Sequence, residues 1–194
     1  MIAVVGEALV DVVMAADGAV TARSGGAPFN AARACARLGA PVSLVAAISA
    51  DRFGRRLMAD LTVDGVHTDH VQRNGAPTTL AVVELDAVGT ATYRFYLPGT
   101  SAVALAPVPL PTGTRAVVAG RLGLAVEPMA TAVERIVLDA GEDVLVPLDL
   151  NCRPCRRHRA EGRRSTAPPR AAVRLGTRLS ERRSNSPRRR PQSP

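Results

Sequence analysis

Ser24-Gly25-Gly26-Ala27-Pro28-Phe29-Asn30 is the stretch on which the fold turns: a glycine pair with a helix start directly behind it. Paired glycines let backbone approach a ligand closely, and a helix start presents N–H groups to polar atoms. Ala31, Ala34, Cys35 and Leu38 then recur at helical spacing, which predicts one apolar face, with Gly39 as the stop. Asn30 falls on the first turn with an amide that both donates and accepts, suited to holding a hydroxyl. Upstream, Asp11 stands as a single acid in a β-prone run and can accept from two adjacent hydroxyls. From composition alone, the same residues also suit a plain strand-to-helix turn, a capping Asn and a solvated Asp. The turn is not a Walker phosphate loop, because no Gly-Lys-Ser/Thr is present.

Working outward, Ile2–Gly6 reads as a buried first strand and Ala8–Met14 as a second β segment. Val42–Ile48 reads as a buried strand, and Phe53, Leu57 and Leu61 mark an amphipathic helix with Arg55 and Arg56 on its wet side. Thr78–Leu85 and Thr90–Leu97 alternate and are joined by Asp86-Ala87-Val88-Gly89, the pattern of a hairpin with one exposed face. Ala116–Ala119 predicts a strand, Pro128–Ala140 a helix and Val144–Leu150 a strand. Strands alternating with helices argue for an α/β layer with a mostly parallel sheet, on which the hairpin is an insertion.

The chain has 194 residues, 46% of them apolar, so a sizeable core is available; aromatics are only 3% and Trp is absent, which leaves the packing to aliphatic side chains and Ala. No apolar run approaches the length of a membrane span. Glu7 and Asp11 near the start, with no early basic residue, argue against a signal peptide. Three cysteines make no disulfide framework and favour a reducing compartment, hence the cytoplasm. The net charge of +8 is unevenly held: residues 1–154 carry 12 Arg and 15 acids, whereas residues 155–194 carry 13 Arg and two Glu. That last segment has eight apolar residues in forty, too few to offset the entropy of ordering it, and is expected to be a disordered Arg/Pro/Ser-rich tail.

Five ordered motifs within residues 1–154 resemble the ribokinase/fructokinase-like (phosphofructokinase-B type) family of carbohydrate kinases. Gly6-Glu7-Ala8-Leu9-Val10-Asp11 resembles its opening strand motif, and Gly25-Gly26-Ala27-Pro28-Phe29-Asn30-Ala31-Ala32, with Arg37-Leu38-Gly39 behind it, its N-terminal signature. Asp51-Arg52-Phe53-Gly54 resembles a D-x-F-G helix start, Pro77-Thr78-Thr79 the beginning of the lid hairpin, and Asp149-Leu150-Asn151-Cys152-Arg153-Pro154 a D-x-N-x-R-P strand end. The Gly-Glu-Ala and Gly-Gly-Ala-Pro forms lean towards the fructokinase branch.

The resemblance implies an α/β three-layer sandwich, truncated before its final strands and helices, with a small β-hairpin lid at about residues 77–98. It implies that Asp11, Gly25, Gly26 and Asn30 bind sugar hydroxyls, with Asn151 and Arg153 near the substrate–phosphate end of the cleft and Tyr96 as a lid contact. It further implies ATP and Mg²⁺ as cofactors of an intact member, a small sugar as its ligand, and a homodimer formed through the lid. Three positions depart from the pattern: Ser49 where the signature usually has Gly, Leu97 where Arg is frequent, and Ala102 where Asp is frequent. The family's Gly-Ala-Gly-Asp motif, whose Asp is the base for the sugar hydroxyl, does not occur in the chain. Phosphoryl transfer is almost entirely positioning and charge stabilisation, so this chain alone is expected to bind sugar without turning it over.

The Arg-rich tail has rival readings. A Lys-free, Ala/Arg-rich composition suggests GC-rich coding DNA, and back-translation of residues 184–190 yields Glu-Leu-Ser-Glu-Glu-Glu in another frame, as expected of a frameshifted sugar kinase. Arg runs without interleaved aromatics predict only non-specific nucleic-acid binding. Cys152, Cys155 and His158 have zinc-like spacing but no evident fourth ligand. Cys35 is expected in the core, and His67 and His70 at the surface.

Overall fold

The computed structural model of the protein describes residues 1–85, 88 and 90–149. Its centre is a five-stranded, all-parallel sheet built from β1 (Ile2–Val5), β4 (Val42–Ser49), β5 (Val71–Asn74), β8 (Ala116–Gly120) and β9 (Leu148–Asp149). Their order across the sheet is β5-β4-β1-β8-β9. All eight residues of β4 are buried, as expected of a strand covered on both faces.

Alternation along each strand distributes side chains between two cores. Val4, Leu44, Ala46 and Ile48 pack with Phe29 and Ala32 of α1 (Ala27–Arg37) and with Leu57 and Leu61 of α2 (Arg52–Val63). Ala3, Val5, Val45, Ala47, Val117 and Ala119 pack on the opposite face with Leu124 of α3 (Leu122–Ala125) and with Met129, Val133, Ile136 and Val137 of α4 (Met129–Leu138). The result is the three-layer α/β sandwich the sequence implied. Phe29, fully buried among aliphatic side chains, is the largest apolar contribution of α1, about 2–3 kcal/mol of burial.

A second sheet has the order β3-β2-β6-β7, formed by β2 (Leu9–Met14), β3 (Val20–Gly25), β6 (Leu80–Leu85) and β7 (Ala91–Tyr96). The expected hairpin is its β6–β7 pair, antiparallel from Leu80↔Tyr96 to Leu85↔Ala91. The hairpin does not stand alone, because β6 continues the sheet by pairing in parallel with β2, which pairs antiparallel with β3. All of β7 is exposed, rather than one face of it.

Several sequence expectations are corrected by the packing. Ser24 and Gly25 end strand β3 instead of opening a loop, and β3 was not anticipated, while β5 begins just after the short β segment expected between His67 and His70. The buried side of α1 is Pro28, Phe29 and Ala32, while Leu38 is 86% exposed at the helix end. The bulk of Phe29 sets the helix rotation, and the four positions chosen by spacing are mostly small. On α2 the buried side is Gly54, Leu57 and Leu61, with Phe53 partly exposed. The final strand is shorter than expected, with an isolated bridge at Leu145 and pairing at Leu148–Asp149. Asn151, Arg153, Cys152, Cys155, His158 and the Arg-rich tail lie outside the described residues, as does most of the turn at 86–89.

Candidate functional site

The strand order places β1 at a crossover: the chain passes from β1 to β4 on one side, then returns to β8 on the other. In open parallel sheets the crevice beyond the strand ends at such a reversal is where ligands bind. Here Gly6 and Glu7 follow β1, Arg121 follows β8, and the start of α1 overlies them.

Glycine is required at the point of closest approach. Gly26, the residue capping α1, has φ +104, and a Cβ there would sit 2.7 Å from the Glu7 carbonyl oxygen. At Gly25 a Cβ would overlap Asp11 Oδ2 and lie 2.9 Å from Asp11 Cγ. The Asp11 carboxylate, on β2 opposite Arg23 of β3, therefore lies over the Gly25 backbone. Partial burial raises the Asp11 carboxyl above its ordinary value. Asn30 N–H donates to the Gly26 carbonyl at 2.9 Å, and its side chain is exposed one turn into α1. The structure thus brings Asp11 of β2 against Gly25 at the end of β3, with Gly26 next in the chain and Asn30 one turn into α1.

Glu7 was not among the site residues expected from the sequence. It is 2% exposed, and its Oε1 accepts from the Ala27 N–H at 3.4 Å while Oε2 accepts from the Gly123 N–H at 3.2 Å. The available signal was an acid set between small residues straight after a buried strand.

A second polar cluster roots β6 on the central body. Asp51 caps α2: its Oδ1 accepts from the Gly54 N–H at 2.8 Å and from the Thr78 hydroxyl at 2.7 Å, and its Oδ2 from the Thr78 N–H at 2.8 Å. Next to it, the buried hydroxyls of Thr79 and Thr100 lie 2.7 Å apart, and Thr79 Oγ1 accepts from the Ala102 N–H. Both strands of the hairpin are thereby tied together at their base. Burial pushes the Asp51 carboxyl up, but the hydrogen bonds from Gly54, Thr78 and Ser49 outweigh it and hold the group at about 2. Since folding lowers this value from 3.8, the stabilisation is complete above about pH 4 and is lost as pH falls towards 2. Asp51→Ala is expected to cost about 1–2 kcal/mol at neutral pH, as for loss of a helix cap, with a smaller penalty at pH 2; thermal unfolding at the two pH values measures the difference. An equal penalty at both would contradict the cap-and-anchor role.

Of the remaining positions, Tyr96 ends β7 half exposed, Ala102 is buried, and Leu97 packs against the core that α4 covers. His67 is exposed, and Cys35 packs beside the core beneath α1. A groove of about 510 Å³ between residues 107–114 and 139–144 contains none of the candidate residues. Among the described residues, no three His, Cys, Asp or Glu side chains converge as a metal site, and no helix is long and apolar enough to cross a membrane.

Comparison with known proteins agrees with this architecture. The model of the pfkB family carbohydrate kinases matches residues 1–157. The chain is 32% identical to the fructokinase of Solanum tuberosum over 176 residues, covering 82% of this chain and 54% of that protein. It is 30% identical to the fructokinase of Rhizobium leguminosarum bv. trifolii over 161 residues, covering 79% and 49%. Among solved structures, the fructokinase of Xylella fastidiosa superposes with a TM-score of 0.72 at 29% identity, covering 90% of this chain and 57% of that one. A structure of Xylella fastidiosa fructokinase with bound ATP superposes with a TM-score of 0.71 at 27% identity, covering 90% and 56%. The chain spans about half the length of these relatives. With the family model matched over most of its length and the same three-layer sandwich beneath it, this chain belongs to the pfkB family of carbohydrate kinases.

Proposed function

We propose that Asp11, Gly25, Gly26 and Asn30 form the sugar-binding surface of a fructokinase-like kinase, taking a fructose-like ketose, and that this chain by itself binds the sugar without phosphorylating it. The observation that carries the reading is the Asp11 carboxylate lying over the Gly25 backbone beside the start of α1. An ionised carboxylate accepts from two adjacent hydroxyls, the bare glycine backbone lets the ring approach, and the Asn30 amide serves a further hydroxyl. The sheet of β2, β3, β6 and β7 stands beside this surface as a lid, rooted at Asp51 and Thr78. Asn151 and Arg153 complete the phosphate end of the site in this reading.

The family's activity uses ATP with Mg²⁺ to carry a phosphoryl group to a sugar hydroxyl. In this reading the chain lacks the Gly-Ala-Gly-Asp turn that would supply the base. No step through nucleotide or Mg²⁺ is therefore assigned to this chain. Its cellular place in this reading is the cytoplasm, as a sugar-binding protein, and the tail contributes only non-specific attraction to nucleic acid. The wholly exposed β7 strand, with Tyr93 and Phe95 stacked at 6.3 Å, is the edge through which two copies would pair.

Titration calorimetry with fructose tests the reading. The wild-type chain is expected to bind, and Asp11→Ala to bind roughly 100-fold more weakly, as for loss of two charge-assisted hydrogen bonds. An ADP-release assay with ATP, Mg²⁺ and fructose is expected to show no turnover by the chain. Unchanged affinity in the variant would remove Asp11 from the site, and turnover would refute the binding-only role.

A further inference from the structure

Among the described residues Glu7 is the one fully enclosed carboxylate at the crossover, and the sugar-site reading makes no use of it. It follows β1 directly, and each of its two oxygens receives a backbone N–H from a different segment: Ala27 at the start of α1 and Gly123 in α3. At two of the neighbouring glycines, Gly6 and Gly26, the packing is too close for a side chain. A Cβ on Gly6 would sit 2.7 Å from Pro28 Cγ, one on Gly26 2.7 Å from the Glu7 carbonyl, and one on Gly123 3.4 Å from Gly6 Cα. Gly6 and Gly26 thus close the backbone beside one carboxylate, Gly123 lies in van der Waals contact with Gly6, and the two hydrogen bonds of Glu7 link the segments across that junction.

We propose that Glu7 is a positioning residue, a protonation-sensitive strut that holds the Gly25–Ala27 turn in its ligand-binding shape by joining the start of α1 to the β8–α3 connection. The inference rests on the sugar-site reading for its effect on affinity, but not for the strut itself. A carboxylate is needed because both partners are donors. Once protonated, one oxygen becomes a hydroxyl, a much poorer acceptor than a carboxylate oxygen, and the hydrogen bond from one of the two N–H groups is weakened. Burial pushes the Glu7 carboxyl up and outweighs the opposing pull of the backbone N–H groups and the positive Arg121, leaving it at about 7. Arg121, in the turn between β8 and α3, is the charged side chain that acts on it; β1, β4, the first turn of α1 and α3 carry none. The switch therefore falls within the physiological range.

The test is a pH titration of the ¹⁵N-labelled full chain by NMR from pH 5 to 9, without sugar. The Ala27 and Gly123 amide signals are expected to move together with one shared inflection, and to lose it in Glu7→Gln, whose amide can accept only one of the two N–H groups. Separate inflections, or none, in the wild-type chain would overturn the strut whether or not the variant folds. A titration preserved in Glu7→Gln would also overturn it. With fructose present, the affinity of the wild-type chain is expected to fall roughly tenfold on acidification through that inflection, as for loss of one charge-assisted bond. Affinity independent of pH, despite a shared amide inflection, would overturn the coupling of the strut to the turn. Asp11→Ala is expected to weaken fructose binding while leaving the amide titration in place. Absence of fructose binding in the wild-type chain would defeat the sugar reading, with the amide signals still deciding the strut.

Discussion

Gly25→Ala is expected to weaken fructose binding at least ~100-fold while leaving the fold intact. The backbone at Gly25 tolerates a side chain, since its φ is not in the left-handed region, and the nearest atoms to the new methyl group belong to side chains. The overlap falls on Asp11 Oδ2, with Leu9 Cδ1 at 3.4 Å as the next neighbour. A carboxylate on a rotatable side chain can move away, and in doing so it leaves the position from which it reaches two hydroxyls. Two charge-assisted hydrogen bonds at about 1.5 kcal/mol each amount to roughly 3 kcal/mol, hence the two powers of ten. Calorimetry measures the affinity, and thermal unfolding checks that the midpoint moves by no more than a few degrees. Full affinity in a folded Gly25→Ala chain would show that the Asp11–Gly25 juxtaposition is not where the sugar sits.

Gly54→Ala is expected to have the opposite profile, a large loss of stability. In an exposed helix this exchange would be favourable by about 1 kcal/mol, because glycine is the poorer helix former. Gly54 is different: a Cβ there would overlap the Ser49 carbonyl oxygen, lie 2.7 Å from its carbonyl carbon and 3.2 Å from Ser49 Cα. All three belong to the backbone at the end of β4, which cannot rotate aside. The start of α2 must then lift, and with it the hydrogen bonds from Gly54 and Thr78 to Asp51. Overpacking against backbone, plus a disturbed cap, is expected to cost about 3–4 kcal/mol, or a fall of roughly 10 °C in unfolding temperature. A neutral or raised melting point would mean that α2 sits further from β4 than the structure has it.

These two glycines show how far the sequence carries. The D-x-F-G pattern marked Asp51 and Gly54 as belonging together, but the reason for Gly54 is a carbonyl five residues upstream, brought there by the β4–α2 turn. Asp11 and Gly25 were singled out separately, fourteen residues apart. Their contact follows from the antiparallel register of β2 on β3, in which Leu9 faces Gly25 and Asp11 faces Arg23. Strand β3 itself, Val-Thr-Ala-Arg-Ser-Gly, carries no alternation strong enough to announce it, and only pairing with β2 makes it a strand. Glu7 was legible as an acid in a motif, whereas its burial depends on segments 20 and 116 residues away.

By itself the sequence determined the class of fold, the parallel strands and the glycine-led start of α1, because hydrophobic period and turn chemistry are local properties. It also determined the family, because its ordered motifs survive as strings. The tertiary structure alone decided which face of α1 is buried, that the hairpin is half of a four-stranded sheet, and that Glu7 bridges two chain segments. Those outcomes depend on contacts between residues far apart in the chain, where side-chain bulk, strand register and desolvation act together and no short window of sequence records the sum.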